Sequence, residues 1–320
     1  MELNKNLYKK NIDVEAMRAG WGDGLLELGK KHKEVVGMCA DLVGSLKMVA
    51  FAKEFPDRFI EVGIQEQNMM SAAAGLVASG LRPYIGSFSA FCPGRNWEQL
   101  RVSVCYAKAP VVFCGSHAGI SVGPDGASHQ AMEDIAITRC LPNLTVIAPC
   151  DYMENYKATM SAYDLKAPVY IRFSRIKAPN VTVKKTPFKI GRAEVLKSGK
   201  DVTIIACGLL VYEALIAAKE LEKENINAEV INCHTIKPLD EKTIIKSAAK
   251  TGAVVSAEEH QIIGGLGSAV AEALAKNKPT PQEFVGMQGT FGESGEPDEL
   301  LEKYGMKAVD IIKAVKKVKK

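Results

Sequence analysis

Three short segments carry side chains suited to chemistry. The first is FIEVGIQEQNMMSAAAGLV, residues 59–77, where a strand-like start gives way to a helix-like run and Glu66 and Gln67 stand at the junction. A helix dipole by itself favours an acid at that position. Few polar companions follow, because Met69, Met70 and then Ala72 to Gly75 come next. A carboxylate shielded from water in such a place suits sharing a proton with a bound heterocycle, and small residues let a partner come close. The second segment is GSHAGISVGPDGASHQ, residues 115–130, which leaves the strand-like APVVFC. His117, Asp125 and His129 share this glycine-rich loop, a polar rim of the kind that binds small ligands at the ends of parallel strands. The third, GSFSAFCPGRNWEQLR, places Phe88 and Phe91 three apart, a spacing that serves a core as readily as a flat ligand.

Positioning these segments calls for a parallel sheet. Strand-like runs EVVGMC, FIEV, RPYIGSF, APVVFCG, LTVIAP and PVYIRF alternate with helix-like segments such as 65–79 and 151–165, which is the βαβ pattern of an α/β fold. Residues 176–190, IKAPNVTVKKTPFKI, suit an extended connection. Beyond it a second alternating series begins: DVTIIACG, a helix over 209–224, NAEVINC, a helix over 240–250, GAVVSAEE, a helix over 264–276, EFVGM and a last helix near 307–318. The expected organisation is one α/β domain over residues 1–180, a linker over 181–192 and a second α/β domain over 193–320.

Composition bounds the partners. The 320 residues are 47% hydrophobic, enough to furnish two cores. A net charge of +4, from 41 basic and 37 acidic residues, leaves the terminal AVKKVKK as the one dense basic run, and it reads as a helix end. Nucleic acid is therefore not the expected partner. The N-terminal segment MELNKNLYKKNIDVEAMRAG lacks the apolar core of a signal peptide, and no stretch supplies the roughly 18 apolar residues of a spanning helix. A cytoplasmic protein with no membrane association is expected. Eight cysteines occur without a CxxC pair, which suits reduced, mostly buried thiols and no sulfur-bound metal.

Taken in order, EVGIQEQNM, GSFSAF, SHAGISVGPDGASHQ and LPNLTVIAPCD closely resemble the C-terminal half of transketolase, and ADLVGS and EEHQIIGGLGSAVAEAL extend the match over nearly the whole chain. The resemblance implies a pyrimidine-binding domain of a thiamin-diphosphate enzyme, followed by the family's C-terminal domain. It also implies a missing part, since the family's diphosphate and divalent metal, Mg2+ or Ca2+, are held by an N-terminal domain through a GDG motif and a later asparagine. Gly22-Asp23-Gly24 looks like such a motif, yet the segment reads as helix and no asparagine lies between Gly24 and residue 50. The resemblance thus implies a split transketolase, with thiamin diphosphate shared with a partner subunit that is expected to carry the diphosphate domain and hold the metal.

The roles implied are specific. Glu66 matches the glutamate that hydrogen-bonds the pyrimidine ring nitrogen and favours the imino tautomer. Phe88 and Phe91 match aromatic residues against that ring, and Asp41 an acid near the cofactor. His117, Asp125 and His129 match channel residues for sugar hydroxyls and proton transfer. Arg18, Ser45 and Arg175 match positions that receive the sugar's phosphate. Gln67, Pro124 and Gly94 depart from the commoner pattern, as does the Leu-Lys after Ser45, which leaves the preferred sugar open. The expected activity is two-carbon ketol transfer from a ketose phosphate to an aldose phosphate in pentose phosphate metabolism. Two copies of each chain in a heterotetramer, with self-association through both domains, are expected from the family's shared sites. Alternatives are an enzyme like 1-deoxyxylulose-5-phosphate synthase, one like a 2-oxoacid dehydrogenase β subunit, or a non-catalytic binding module.

Overall fold

The computed structural model describes residues 1–9 and 11–319. The first sheet has seven strands in the order Thr235–Lys237, Thr145–Ile147, Val169–Arg172, Val112–Ser116, Arg82–Phe88, Val35–Cys39 and Phe59–Glu61. Six run parallel, and Thr235–Lys237 is antiparallel at the edge. The second sheet is ordered Gln282–Met287, Val254–Gln261, Val202–Ala206, Ala228–Asn232 and Glu194–Lys197, the last antiparallel. Central strands such as Val112–Ser116 and Val202–Ala206 are buried throughout, as continuous apolar runs covered by helices on both faces must be. The chain is thus α/β with two parallel-type sheets.

Helices lie where periodicity places them: Glu66–Ala78, Tyr152–Ala162, Leu210–Glu222, Glu241–Thr251, Leu266–Asn277 and Ala308–Val318. The helix Met17–Lys31 contains the Gly22-Asp23-Gly24 run and has a packing reason for its glycines. A Cβ on Gly20 would lie 2.3 Å from the Tyr152 carbonyl oxygen, one on Gly22 2.2 Å from that of Lys47, and one on Gly24 2.9 Å from Thr159 Cγ2. Glycine inside a helix costs about 1 kcal/mol against alanine. The cost is offset by close approach to Tyr152–Ala162 and by full burial of Trp21 against Tyr84 and Phe173, with centroids 5.7 and 6.3 Å away.

The two halves interlock more tightly than a linker between compact units suggests. Strand Thr235–Lys237 belongs by sequence to the second half yet completes the first sheet, and Ala148 N donates to the His234 carbonyl while Gly208 N donates to that of Ala148. Three residues with no alternating pattern are too few to register as a strand in the sequence. The small residues after Glu66 divide between core and surface. Ala73 is buried, Ala72 and Ala74 pack partly against the core, and Ser71 and Gly75 are exposed, a Cβ on Gly75 meeting nothing within 4 Å.

Glu154 sits at this junction, fully enclosed. Its carboxyl accepts from Cys150 N at 2.7 Å and from Asn232 Nδ2, on the second sheet, at 2.7 Å. Burial, reinforced by the nearby Asp151 carboxylate, pushes its pKa up to about 8. The folded protein therefore holds a proton that the unfolded chain releases near its ordinary value, so this stabilisation is complete in acid and declines as pH rises towards 8. Replacing Glu154 with glutamine removes the titration. The unfolding free energy of wild type relative to Glu154→Gln should fall by about 1.4 kcal/mol per pH unit between pH 5 and 8, read by urea denaturation. Parallel profiles for the two proteins would show that the carboxyl stays charged.

Candidate active site

Apart from Arg18, the chemically promising residues lie at or just beyond the carboxyl ends of strands in the first sheet. Asp41 and Ser45 follow Val35–Cys39, Glu66 follows Phe59–Glu61, and Phe88 ends Arg82–Phe88 with Phe91 just beyond it. His117, Asp125 and His129 follow Val112–Ser116, and Arg175 follows Val169–Arg172. Arg18 arrives from the first turn of Met17–Lys31. This is the edge of a parallel sheet where open α/β folds bind ligands.

Glu66 opens its helix and is 1% exposed. Ser87 Oγ donates to its Oε1 at 3.0 Å and Arg95 Nη1 to its Oε2 at 2.8 Å, while Asn96 Nδ2 donates to its main-chain carbonyl at 3.2 Å. Arg95 also lies over the Phe91 ring, 4.5 Å from its centroid. Sequence reasoning passed over Ser87, Arg95 and Asn96, although Arg95 and Asn96 follow Gly94 in the aromatic segment. Gly94 itself is required by a tight turn, since its Cβ would lie 2.1 Å from the Ala90 carbonyl oxygen. A carboxylate has about four acceptor positions. Two donors leave Glu66 capacity for a ligand N–H.

The aromatic wall stands beside it. The Phe88 and Phe91 rings are 6.5 Å apart at 25°, and both are half-buried. Phe88 stacks on His117 at 3.9 Å, and His129 meets Phe91 edge-on at 5.3 Å. A flat apolar wall next to a buried carboxylate with spare lone pairs fits an aminopyrimidine in the form that carries a ring N–H, a flat apolar body with a donor to satisfy.

His117 has a left-handed backbone, φ 56°, and its Nδ1 pairs with Ser116 Oγ at 2.7 Å. Burial, joined by the positive charges of Arg18, Arg175 and His129, pushes its pKa down to about 3. It is therefore a neutral imidazole at physiological pH, with Nε2 available to a hydroxyl. Arg18 is itself shifted down by burial and by Arg175, which places the two guanidiniums in one cationic cluster. Arg18 Nη1 donates to the Ser45 carbonyl at 3.2 Å, and its Nε is buried without a partner. Arg175 Nη1 donates to the Val122 carbonyl at 2.7 Å and lies 4.0 Å from Asp125 Oδ1. Mutually repelling cations held this close suit an anionic ligand. Asp41 lies apart from these contacts: it is exposed at φ 57°, its N–H donating to Glu61 Oε1 at 2.7 Å.

Among the described residues no group of three or more His, Cys, Asp or Glu side chains is arranged to hold a metal ion. Seven of the eight cysteines are buried as free thiols, and Cys140 is exposed. No helix is long and apolar enough to cross a membrane among the described residues. The neutral state of His117 has a direct readout. In 15N-edited spectra its imidazole, assigned with His117→Gln, should show no titration between pH 5 and 8, whereas a midpoint inside that range would place it in a wetter, less cationic setting.

Comparison with known proteins points to one family. Residues 14–180 match the family described as transketolase, pyrimidine binding domain, and residues 191–311 match transketolase, C-terminal domain. A putative transketolase C-terminal section from Methanocaldococcus jannaschii is 45% identical over 304 residues, covering 94% of this chain and 95% of that one. The 6-deoxy-6-sulfo-D-fructose transketolase subunit SqwH from Clostridium sp. (strain MSTE9) is 42% identical over 311 residues, covering 97% of each. A solved split-gene transketolase, described as an inactive β4 tetramer, superposes with a TM-score of 0.89 at 46% identity, covering 95% of this chain and 98% of that one. The chain belongs to the transketolase family and carries its pyrimidine-binding and C-terminal domains.

Proposed function

We propose that this chain is the C-terminal subunit of a two-chain, thiamin-diphosphate-dependent transketolase that moves a two-carbon ketol unit from a ketose phosphate to an aldose phosphate. The observation that carries the reading is the buried Glu66 carboxylate, held by Ser87 and Arg95 beside the Phe88 and Phe91 wall. Thiamin diphosphate, when bound, supplies the carbon nucleophile of the reaction. Glu66 would accept a hydrogen bond from the ring N–H of the pyrimidine, and Phe88 and Phe91 would supply the apolar surface against that ring. The neutral imidazole of His117, together with His129, exchanges hydrogen bonds and protons with sugar hydroxyls, and Asp125 receives another hydroxyl. Arg18, Arg175 and Ser45 take the phosphate, the two guanidiniums supplying charge-assisted hydrogen bonds. Asp41, exposed and outside these contacts, is assigned as an acid near the cofactor.

A partner chain with the diphosphate-binding domain completes the site and holds Mg2+ or Ca2+. The names of the relatives support a subunit role, since one is a C-terminal section, one a subunit and one a split-gene product. The working assembly is a heterotetramer of two copies of each chain, placed in cytoplasmic pentose phosphate metabolism. The sugar's far end must be anionic to satisfy Arg18 and Arg175, and phosphate is the group assigned here.

The test is reconstitution. This chain, mixed with a chain carrying the diphosphate-binding domain, magnesium and thiamin diphosphate, should transfer the ketol unit from xylulose 5-phosphate to ribose 5-phosphate. Glu66→Ala should lower the rate at least about 100-fold. Full activity of the chain alone, or a normal rate from the Glu66→Ala mixture, would falsify the assignment.

A further inference from the structure

The loop that carries His117, Asp125 and His129 is shaped by the second half of the chain. Gly119, Gly123 and Gly126 have φ of 85°, 79° and 73°, and each abuts the second half. A Cβ on Gly119 would lie 2.3 Å from the carboxyl carbon of Glu259, one on Gly123 3.0 Å from Pro297 Cγ, and one on Gly126 2.6 Å from Ser294 Oγ. Gln130 Nε2 ties the Ile120 carbonyl, at 3.2 Å, to that of Glu293, at 2.9 Å.

Two consecutive carboxylates of strand Val254–Gln261 divide the work. Glu258 stays within its own half, where its oxygens accept from Leu266 N at 2.6 Å and Gly267 N at 2.8 Å and so cap a helix. Glu259 faces the other way, and its Oε1 accepts from Ser121 N at 2.6 Å. Its main-chain carbonyl accepts from Arg172 Nη2 at 2.9 Å, and Arg172 Nε is fixed by Asp134 Oδ2 at 2.8 Å. Glu259 is 2% exposed. An apolar side chain would cement two domains with less desolvation cost than a buried carboxylate. What the carboxylate adds is direction, since it fixes one amide of one turn.

We propose that Glu259 is a positioning residue for the substrate loop: by holding the Ser121 amide it sets the turn that presents His117 and Asp125 to the sugar phosphate. The C-terminal domain thereby takes part in substrate recognition. This rests on the proposed function, and the first readout below does not depend on it.

In the isolated chain, Glu259→Ala should speed hydrogen exchange of the amides in 118–126 with little change elsewhere. In the assembled two-chain holoenzyme it should raise KM for xylulose 5-phosphate about tenfold, as expected for loss of a buried hydrogen bond to a charged acceptor. Thiamin diphosphate affinity should be unchanged. Glu259→Gln keeps an acceptor oxygen and should restore both exchange and KM. Should Glu259→Ala fold poorly, Gly119→Ala provides the complementary variant, because its new methyl meets the Glu259 carboxyl and should displace the same turn. Unchanged exchange in 118–126 overturns the proposal whatever the enzyme's activity. So does a loss of cofactor affinity and Tm in step with KM that Glu259→Gln fails to reverse. Altered exchange without any ketol transfer by wild type would uphold the turn's dependence on Glu259 while removing the sugar-phosphate reading.

Discussion

A carboxylate removed from water must find donors, and Glu66 finds them only where the parallel sheet brings separate loops together. Left alone, such a charge costs several kcal/mol. Ser87 comes from the end of one strand and Arg95 from the loop after it, so the edge of the sheet, the tight turn at Gly94 and the start of helix Glu66–Ala78 must all agree in place. The same requirement leaves a carboxylate with free acceptor positions facing an aromatic wall. Folding and readiness for a heterocycle are met by one arrangement.

A second pressure is repulsion. Arg18, Arg175, His117 and His129 converge on one cluster, and the protein tolerates it by keeping His117 neutral and by giving Arg18 and Arg175 main-chain carbonyls. The cluster borders the loop 117–129, whose glycines accept contact from Glu259, Ser294 and Pro297. The aromatic wall and the cationic cluster are therefore built differently, one from the first sheet alone and the other with help from the C-terminal domain.

Much of this was legible in the sequence, for identifiable reasons. Apolar periodicity marks the long helices and the central strands, and a strand-to-helix junction with an acid points to Glu66. The glycine-rich loop announces His117, Asp125 and His129. Arg95 carries no such mark, because its value comes from a carboxylate 29 residues away. Glu259 is harder still, with 138 residues separating it from Ser121. The facing of the Ala- and Gly-rich run after Glu66 could not be read either, since small residues leave the apolar phase of a helix undefined. Strand Thr235–Lys237 escaped notice because its pairing partner lies in the other half of the chain.

The central claim is that Glu66 holds a heterocyclic ring nitrogen by a hydrogen bond that polarises it. The most direct measurement is the 15N shift of thiamin diphosphate labelled at the pyrimidine ring nitrogens, bound to the two-chain assembly. The account predicts a shift towards the protonated type for one ring nitrogen with wild type, abolished by Glu66→Gln at saturating cofactor. The same shift in both proteins would contradict it.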